Sequence, residues 1–332
     1  MSIREHFRLF AHFQLLPALA GVEETLIGGQ AVLEGVMMRA PHSYCVAVRK
    51  PGGEMVTDEQ PLPKISEKYP LFRHPVLRGI GTLGQAMSLG FKALQFSAKA
   101  AFDDAAHAHE NAAQAQPKTE IPGWLMGLNL TLALLFFLFL FKFVPILLAT
   151  ALGKSIPALR SRIPFNLADG VIRMAIFVAY LYLISQWKEM RRVFEYHGAE
   201  HRVVFNFESG KPVTVENAQS FSTFHPRCGT SFLLVVMLVS IAVYTLLPFD
   251  SFVLKLAGRI VLLPLIVGLS YEVIRYAGKH RTGLMATLTA PGLWLQRITT
   301  KPPADDQTAV AIRALEGAMG LEQTQGGPLV VA

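Results

Sequence analysis

The hydrophobic positions of this chain are concentrated in four long runs. The first is Trp124 to Ala151, with Leu134-Leu135-Phe136-Phe137-Leu138-Phe139-Leu140-Phe141 at its heart, and the others are Ala168 to Trp187, Gly229 to Pro248 and Leu256 to about Tyr271. About 20 residues of helix, rising 1.5 Å each, cross a hydrocarbon layer. Buried helices of soluble proteins keep a polar face, and these runs vary little around the helical wheel. The expected fold class is therefore an α-helical integral membrane protein with about four transmembrane helices in residues 124–273, carrying a polar insertion at 188–228.

Outside the runs the pattern changes. Residues 26–70 read as a small β-rich unit, because Val46 and Val48, the turn Pro51-Gly52-Gly53 and then Met55-Val56 have the form of a hairpin. Gly28, Gly29 and Gly35 bracket Gln30-Ala31-Val32-Leu33-Glu34. The glycine pair reads as a tight turn, since the Lys-Ser/Thr ending of a phosphate loop is missing.

From Pro75 to Phe102 an apolar pattern is broken by Arg78, Lys92 and Lys99, as in an amphipathic helix lying on a membrane surface; a glycine-rich fifth span is the alternative. A linker to residue 116 follows, its His107 and His109 reading as solvated residues. In the carboxy-terminal segment 274–332, Trp294 is placed in the interfacial belt. Residues 305–319 form an amphipathic helix through Val310, Ile312, Leu315 and Met319, with fraying expected from Gly320.

Composition supports this division: 52% of the 332 residues are hydrophobic and only 17% charged, too apolar for an ordinary soluble core. Residues 1–123, 188–228 and the tail from 272 carry 12, 6 and 6 of the 31 basic residues, against five in the opposite loops, Lys154, Arg160, Arg162, Lys255 and Arg259. That asymmetry places both termini and the β-containing unit in the cytoplasm. The net charge of +7 suits an anionic leaflet; no basic stretch interleaved with aromatics points to nucleic acid. Cys45 and Cys228 fall on the same side, so no disulfide is expected. The amino-terminal segment 1–25 is interrupted by Glu5, His6 and Arg8 and reads as no cleaved signal. Lys142 and Arg173 lie within spans and are expected to snorkel to the outer boundary, no acidic partner being read inside any span.

The concentrated chemistry lies where the second span is expected to continue unbroken through Lys188-Glu189-Met190 to Phe207. There Tyr196-His197-Gly198-Ala199-Glu200-His201 places two imidazoles four residues apart on one helical face. His-x-x-Glu-His is the order of inverted zinc metalloproteases, in which the glutamate takes a proton from metal-bound water. Glu200 is thus the candidate general base, and His197 and His201 are candidate ligands of zinc or another divalent transition metal. For a third ligand, His225 is placed ahead of Glu272 and Cys228. His225 and Cys228 share the string His225-Pro226-Arg227-Cys228-Gly229 at the mouth of the third span, while Glu272 ends the fourth and has Arg275 as an alternative ion-pair partner.

Three strings, Gly28-Gly29-Gln30-Ala31-Val32-Leu33-Glu34-Gly35-Val36-Met37-Met38-Arg39, Tyr196-His197-Gly198-Ala199-Glu200-His201 and His225-Pro226-Arg227-Cys228-Gly229-Thr230-Ser231-Phe232, resemble the bacterial YqhQ family. The resemblance runs from about Ile27 to the region of Trp294. It implies a multi-pass protein of the bacterial inner membrane, sometimes described as a metal-dependent enzyme, in which Gln30 or Glu34 lines the same site. Two functions are carried forward. One is a cytoplasm-facing metalloenzyme, a zinc-dependent hydrolase of a membrane-associated peptide or lipid. The other is a non-catalytic scaffold or transporter with a structural histidine cluster; either can form homo-oligomers.

Overall fold

The computed structural model describes residues 27–63, 65–109, 123–225, 228–247, 251–279 and 283–325. The amino-terminal segment, the linker after His109, and Pro226 and Arg227 lie outside them. Four strands, β1 (Gly28–Val32), β2 (Gly35–Arg39), β3 (Ser43–Arg49) and β4 (Met55–Pro61), form an antiparallel sheet in sequence order. The expected hairpin is β3–β4: Val48 faces Val56 across it, and Gly53 turns the chain at φ +90°.

The two central strands, β2 and β3, are buried on both faces. Val36, Met38, Cys45 and Ala47 point to one core, and Met37, Tyr44, Val46 and Val48 to the other. Neighbouring residues of a strand point to opposite faces, so covering both produces near-continuous apolar strands. One cover is α1 (Leu77–His109), whose Leu89 and Ala93 meet the second face. The other consists of α5 (Lys188–Glu208) and the carboxy-terminal α11 (Asp305–Gln325), which meet each other and the first face through Tyr196, Val203, Val310 and Leu315. Gly320 does not begin a frayed end. The helix continues to Gln325 because buried Glu322 accepts hydrogen bonds from Ser43 Oγ (2.7 Å) and the His42 amide (2.9 Å).

The glycine pair is likewise not a turn. Gly28 and Gly29 lie in β1, and the chain reverses at Leu33-Glu34 instead, with Glu34 at φ +51°. A Cβ on Gly29 would sit 2.7 Å from both the Glu200 Cγ and the Met37 carbonyl oxygen, so glycine here admits a side chain from α5.

The apolar runs become α2 (Gly123–Leu138) continuing into α3 (Val144–Ser155), α4 (Arg162–Ile184), α7 (Gly229–Leu246), and the pair α8 (Phe252–Val261) and α9 (Leu263–Lys279). Among the described residues, three stretches, Gly127–Ser155, Arg162–Ile184 and Gly229–Leu246, are long and apolar enough to cross a membrane. The α8–α9 pair, bent by 51°, makes a fourth if it counts as one span. Pro264 explains the bend, since it supplies no N–H and disturbs the preceding turn. Pro145 acts similarly between α2 and α3, where the chain takes one π turn at Phe139–Phe143 that brings Phe141 and Lys142 inward. α1 is not among the apolar stretches and packs on the sheet and on α9.

The second span does not run unbroken into the polar helix. α4 ends at Ile184, and Trp187 is extended (φ −75°, ψ 136°) before α5 begins. The Ser185 hydroxyl takes the Tyr182 carbonyl (2.7 Å), and the Gln186 and Trp187 amides reach only three residues back, to Leu183 and Ile184. Side-chain competition for backbone acceptors of this kind closes a helix. The break frees α5 to lie against the sheet. It is followed by the short α6 (Val215–Gln219), and α10 (Gly283–Thr299) returns the chain past α7 towards α5.

Lys142 and Arg173 do not snorkel. Both are buried, and Arg173 pairs with buried Asp169, four residues earlier on α4, while Arg259 of α8 takes the other oxygen of the same carboxylate. Asp169 stands in the first turn of the run counted from Ala168, so an acidic partner does lie inside the span.

Candidate metal centre

α5 is amphipathic, and its inward face carries Glu200 and His201 fully into the protein and His197 partly so. Gly198 is what lets this helix approach its neighbours: a Cβ there would lie 2.0 Å from the Lys301 carbonyl oxygen, just beyond the end of α10. The Lys301 amide also donates to the Phe194 carbonyl (2.9 Å), fixing the end of α10 along α5.

That docking sets the imidazole orientations. His197 Nδ1 lies 2.8 Å from the Thr299 carbonyl oxygen, and His201 Nδ1 is hydrogen-bonded to the Thr223 carbonyl. A carbonyl can only accept, so each Nδ1 carries the proton and each neutral ring keeps its lone pair on Nε2. The two rings meet edge to face with centroids 4.4 Å apart. His197 Nε2 lies 3.2 Å from Cys228 Sγ, and the His201 Nε2 is buried with no hydrogen-bond partner among the described residues. One ligand atom from each of His197, His201 and Cys228 falls within 4.8 Å of the others. In a tetrahedral zinc site, bond lengths of about 2.0 Å to nitrogen and 2.3 Å to sulfur put such atoms about 3.5 Å apart.

Cys228 reaches this point as the residue that opens α7, with extended backbone (φ −65°, ψ 142°), and the Thr230 hydroxyl donates to its sulfur at 3.4 Å. Glu200 stands beside the group, one carboxylate oxygen 3.9 Å from His197 Nε2 and its stem against Gly29 of β1.

The remaining candidates are placed differently. His225 is buried next to the centre, its ring centroid 5.6 Å from that of His201, but its Nε2 lies 3.6 Å from Glu208 and it is not one of the three converging groups. Gln296 of α10 holds its backbone at both ends, accepting from the His225 amide and donating to its carbonyl, each at 2.8 Å. Burial pushes the His225 imidazole down to about 4, against the opposing pull of Glu200, so it is neutral at neutral pH. Glu272 is bound by Arg78, whose Nε donates at 2.7 Å, and by the Val76 amide at 3.1 Å. Glu34 pairs with Arg192, and Gln30 packs against Gly90; neither belongs to the converging group. The signal missed in the sequence is the pair of main-chain carbonyls at Thr223 and Thr299. They decide which ring nitrogen is free and have no side-chain signature.

The comparisons with known proteins agree with one another. Residues 74–321 match the family described as "Protein of unknown function (DUF1385)". The chain is 36% identical over 301 residues to the "Uncharacterized protein YqhQ" of Bacillus subtilis (strain 168), covering 89% of this chain and 92% of that one. No solved structure matches.

Proposed function

The chain belongs to the DUF1385 family together with YqhQ, and from that premise we propose that it is a membrane-embedded metalloprotein of the bacterial inner membrane. In this reading His197, His201 and Cys228 hold zinc or a similar divalent transition metal on the cytoplasmic side. The observation that carries the reading is the pair of inward Nε2 lone pairs, one of them buried without a partner among the described residues, facing a cysteine sulfur. A buried acceptor left unmade costs about 1–3 kcal/mol, and a cation relieves it. Two imidazoles and a sulfur suit zinc better than the oxygen-seeking magnesium or calcium.

Three protein ligands leave a fourth position for water, and bound zinc brings the pKa of such a water near 7. Glu200, with one carboxylate oxygen 3.9 Å from His197 Nε2, would be the base for such a water, and the reaction this arrangement would serve is hydrolysis, with a membrane-associated peptide or lipid as the substrate. A second reading rests on the same 3.9 Å approach of Glu200 to His197: as a fourth ligand its carboxylate closes the site, and the metal is structural.

Metal analysis of the full-length protein purified without chelators separates the two. The hydrolase reading expects about one equivalent in wild type and in Glu200→Gln, and almost none in His197→Ala with His201→Ala. Metal loss in Glu200→Gln supports the closed site. Wild-type protein without metal after reconstitution contradicts both.

A further inference from the structure

The opposite end of the apolar bundle holds a second polar centre that the metal reading does not use. Lys142, Arg173 and Arg259 are all buried around Tyr244, their cationic groups 5.4, 5.2 and 4.9 Å from its ring centroid. Lys142 donates to the Tyr244 hydroxyl at 3.0 Å, Arg173 to Ser240 Oγ at 2.6 Å, and Arg259 to Asn166 Oδ1 at 2.8 Å. Among the described residues, the one carboxylate within this network is Asp169, which bridges the two arginines. Three buried basic groups therefore face a single acid, and the Arg173 Nε has no hydrogen-bond partner among the described residues. The tyrosine face offsets part of the excess, since a cation over an aromatic ring gains about 0.5–2 kcal/mol, but it supplies no net charge.

Next to this network is a cavity of about 50 Å³, lined by Arg160, Arg162, Asn166, Tyr244, Lys255 and Arg259 with two apolar neighbours. One water needs about 10–15 Å³ of such space, so the cavity admits a few waters or one tetrahedral oxyanion. Four of its walls are basic, and among the described residues that line it none is acidic. Arg160 also donates to the Gly153 carbonyl at 3.0 Å, which ties the α3–α4 connection to the cavity wall. Close in sequence to the lining residues, Ile163, Leu167, Leu246 and Val253 are exposed and apolar, as at a bilayer boundary.

We infer that this cavity binds a phosphate-sized anion, whether the phosphate of an anionic lipid headgroup or free inorganic phosphate, with Arg259 as its inner contact and Arg162 and Lys255 at its mouth. The bound charge balances the excess of buried cations, and guanidinium groups suit tetrahedral oxyanions through paired N–H donors. The inference shares no residue with the metal centre and stands or falls separately.

The test uses full-length protein in a neutral detergent and phosphate-free buffer. It is titrated with inorganic phosphate, and separately with dihexanoyl phosphatidylglycerol and its phosphatidylcholine counterpart, while thermal unfolding is followed. Saturable stabilisation by phosphate identifies the free anion; stabilisation by phosphatidylglycerol, with phosphate and phosphatidylcholine inert, identifies the lipid headgroup. Arg162→Gln combined with Lys255→Gln removes two cations at the mouth without touching the buried network, and is expected to weaken binding about tenfold or more. Lys188→Gln with Arg191→Gln, the same charge change on α5, should leave it unaltered. No stabilisation of the wild type by either anion, or equal weakening by the two double variants, overturns the inference.

Discussion

At the sheet end of the bundle two imidazoles are oriented by backbone carbonyls so that their Nε2 atoms face a cysteine sulfur. At the other end the buried groups are charges, oriented by one another. Helix α7 joins the two: Cys228 opens it and Tyr244 lies 16 residues further on, about 24 Å along a helix. The histidine–cysteine centre is built from segments far apart in sequence, α5, α7, the end of α10 and β1, and depends on their docking. The arginine–aspartate centre is anchored on α4 by an i,i+4 pair and gains Arg259 from α8. Removing a group should therefore have different consequences at the two ends. Loss at the charged centre strands a buried charge and affects folding, while loss at the histidine–cysteine centre affects what is bound.

The largest effect is expected from Asp169→Asn. It leaves two buried guanidinium groups without their carboxylate, a change that costs about 3–5 kcal/mol. Unfolding in detergent should show a strongly lowered midpoint, and whatever protein remains folded should keep its metal. Metal loss in that folded fraction would show that the two ends are coupled.

Cys228→Ser comes next. It should weaken metal binding by about 100-fold or more, at or beyond the top of the 10–100-fold range of outer-shell changes, measured by competition with a chromophoric chelator. Gly198→Ala follows, at about 2 kcal/mol of stability, because its methyl group has to displace the Lys301 carbonyl from α5. It should also weaken metal binding, through the Thr299 carbonyl next to it, while leaving anion binding at the far end unchanged.

The smallest effect is at Glu322. Burial raises its carboxyl pKa, but hydrogen bonds from Ser43 and His42 outweigh burial and hold it below the usual range. A folded-state pKa below the unfolded one contributes stability that is present above about pH 4.3 and disappears as pH falls through the folded value. Glu322→Gln is thus expected to cost about 1 kcal/mol at pH 7, with the difference from wild type shrinking below about pH 4.3, as read from denaturant unfolding at a series of pH values.

The sequence made the periodic features legible. Four apolar runs became helices, and the Val48–Val56 hairpin follows from alternation around Pro51-Gly52-Gly53. Punctuation by single residues was harder to see. The break at Ser185–Trp187 depends on a hydroxyl taking one carbonyl, and the fall in hydropathy there reads equally well as one helix leaving the apolar layer. The role of Gly29 depends on Glu200, 171 positions away, so a local reading could only offer a turn.

At the candidate metal site, the spacing of His197 and His201 placed both rings on one face. The third group remained open because His225 and Cys228 share one short loop. Only the pinning of His225 by Gln296, and the start of α7 at Gly229, turn the cysteine rather than the histidine towards them. Asp169 was passed over in the sequence, although it stands four residues before Arg173 in an apolar helix. Its significance comes from Arg259, which reaches it from another helix.

Cobalt(II) titration of metal-free, full-length protein tests the central claim most directly. If His197, His201 and Cys228 form the site, one equivalent should produce the visible bands of four-coordinate cobalt and a near-ultraviolet sulfur-to-cobalt transition. Cys228→Ser should lose the near-ultraviolet transition, and His197→Ala with His201→Ala should lose both signals. A wild type that binds no stoichiometric cobalt, or whose spectrum is unchanged by Cys228→Ser, would contradict it.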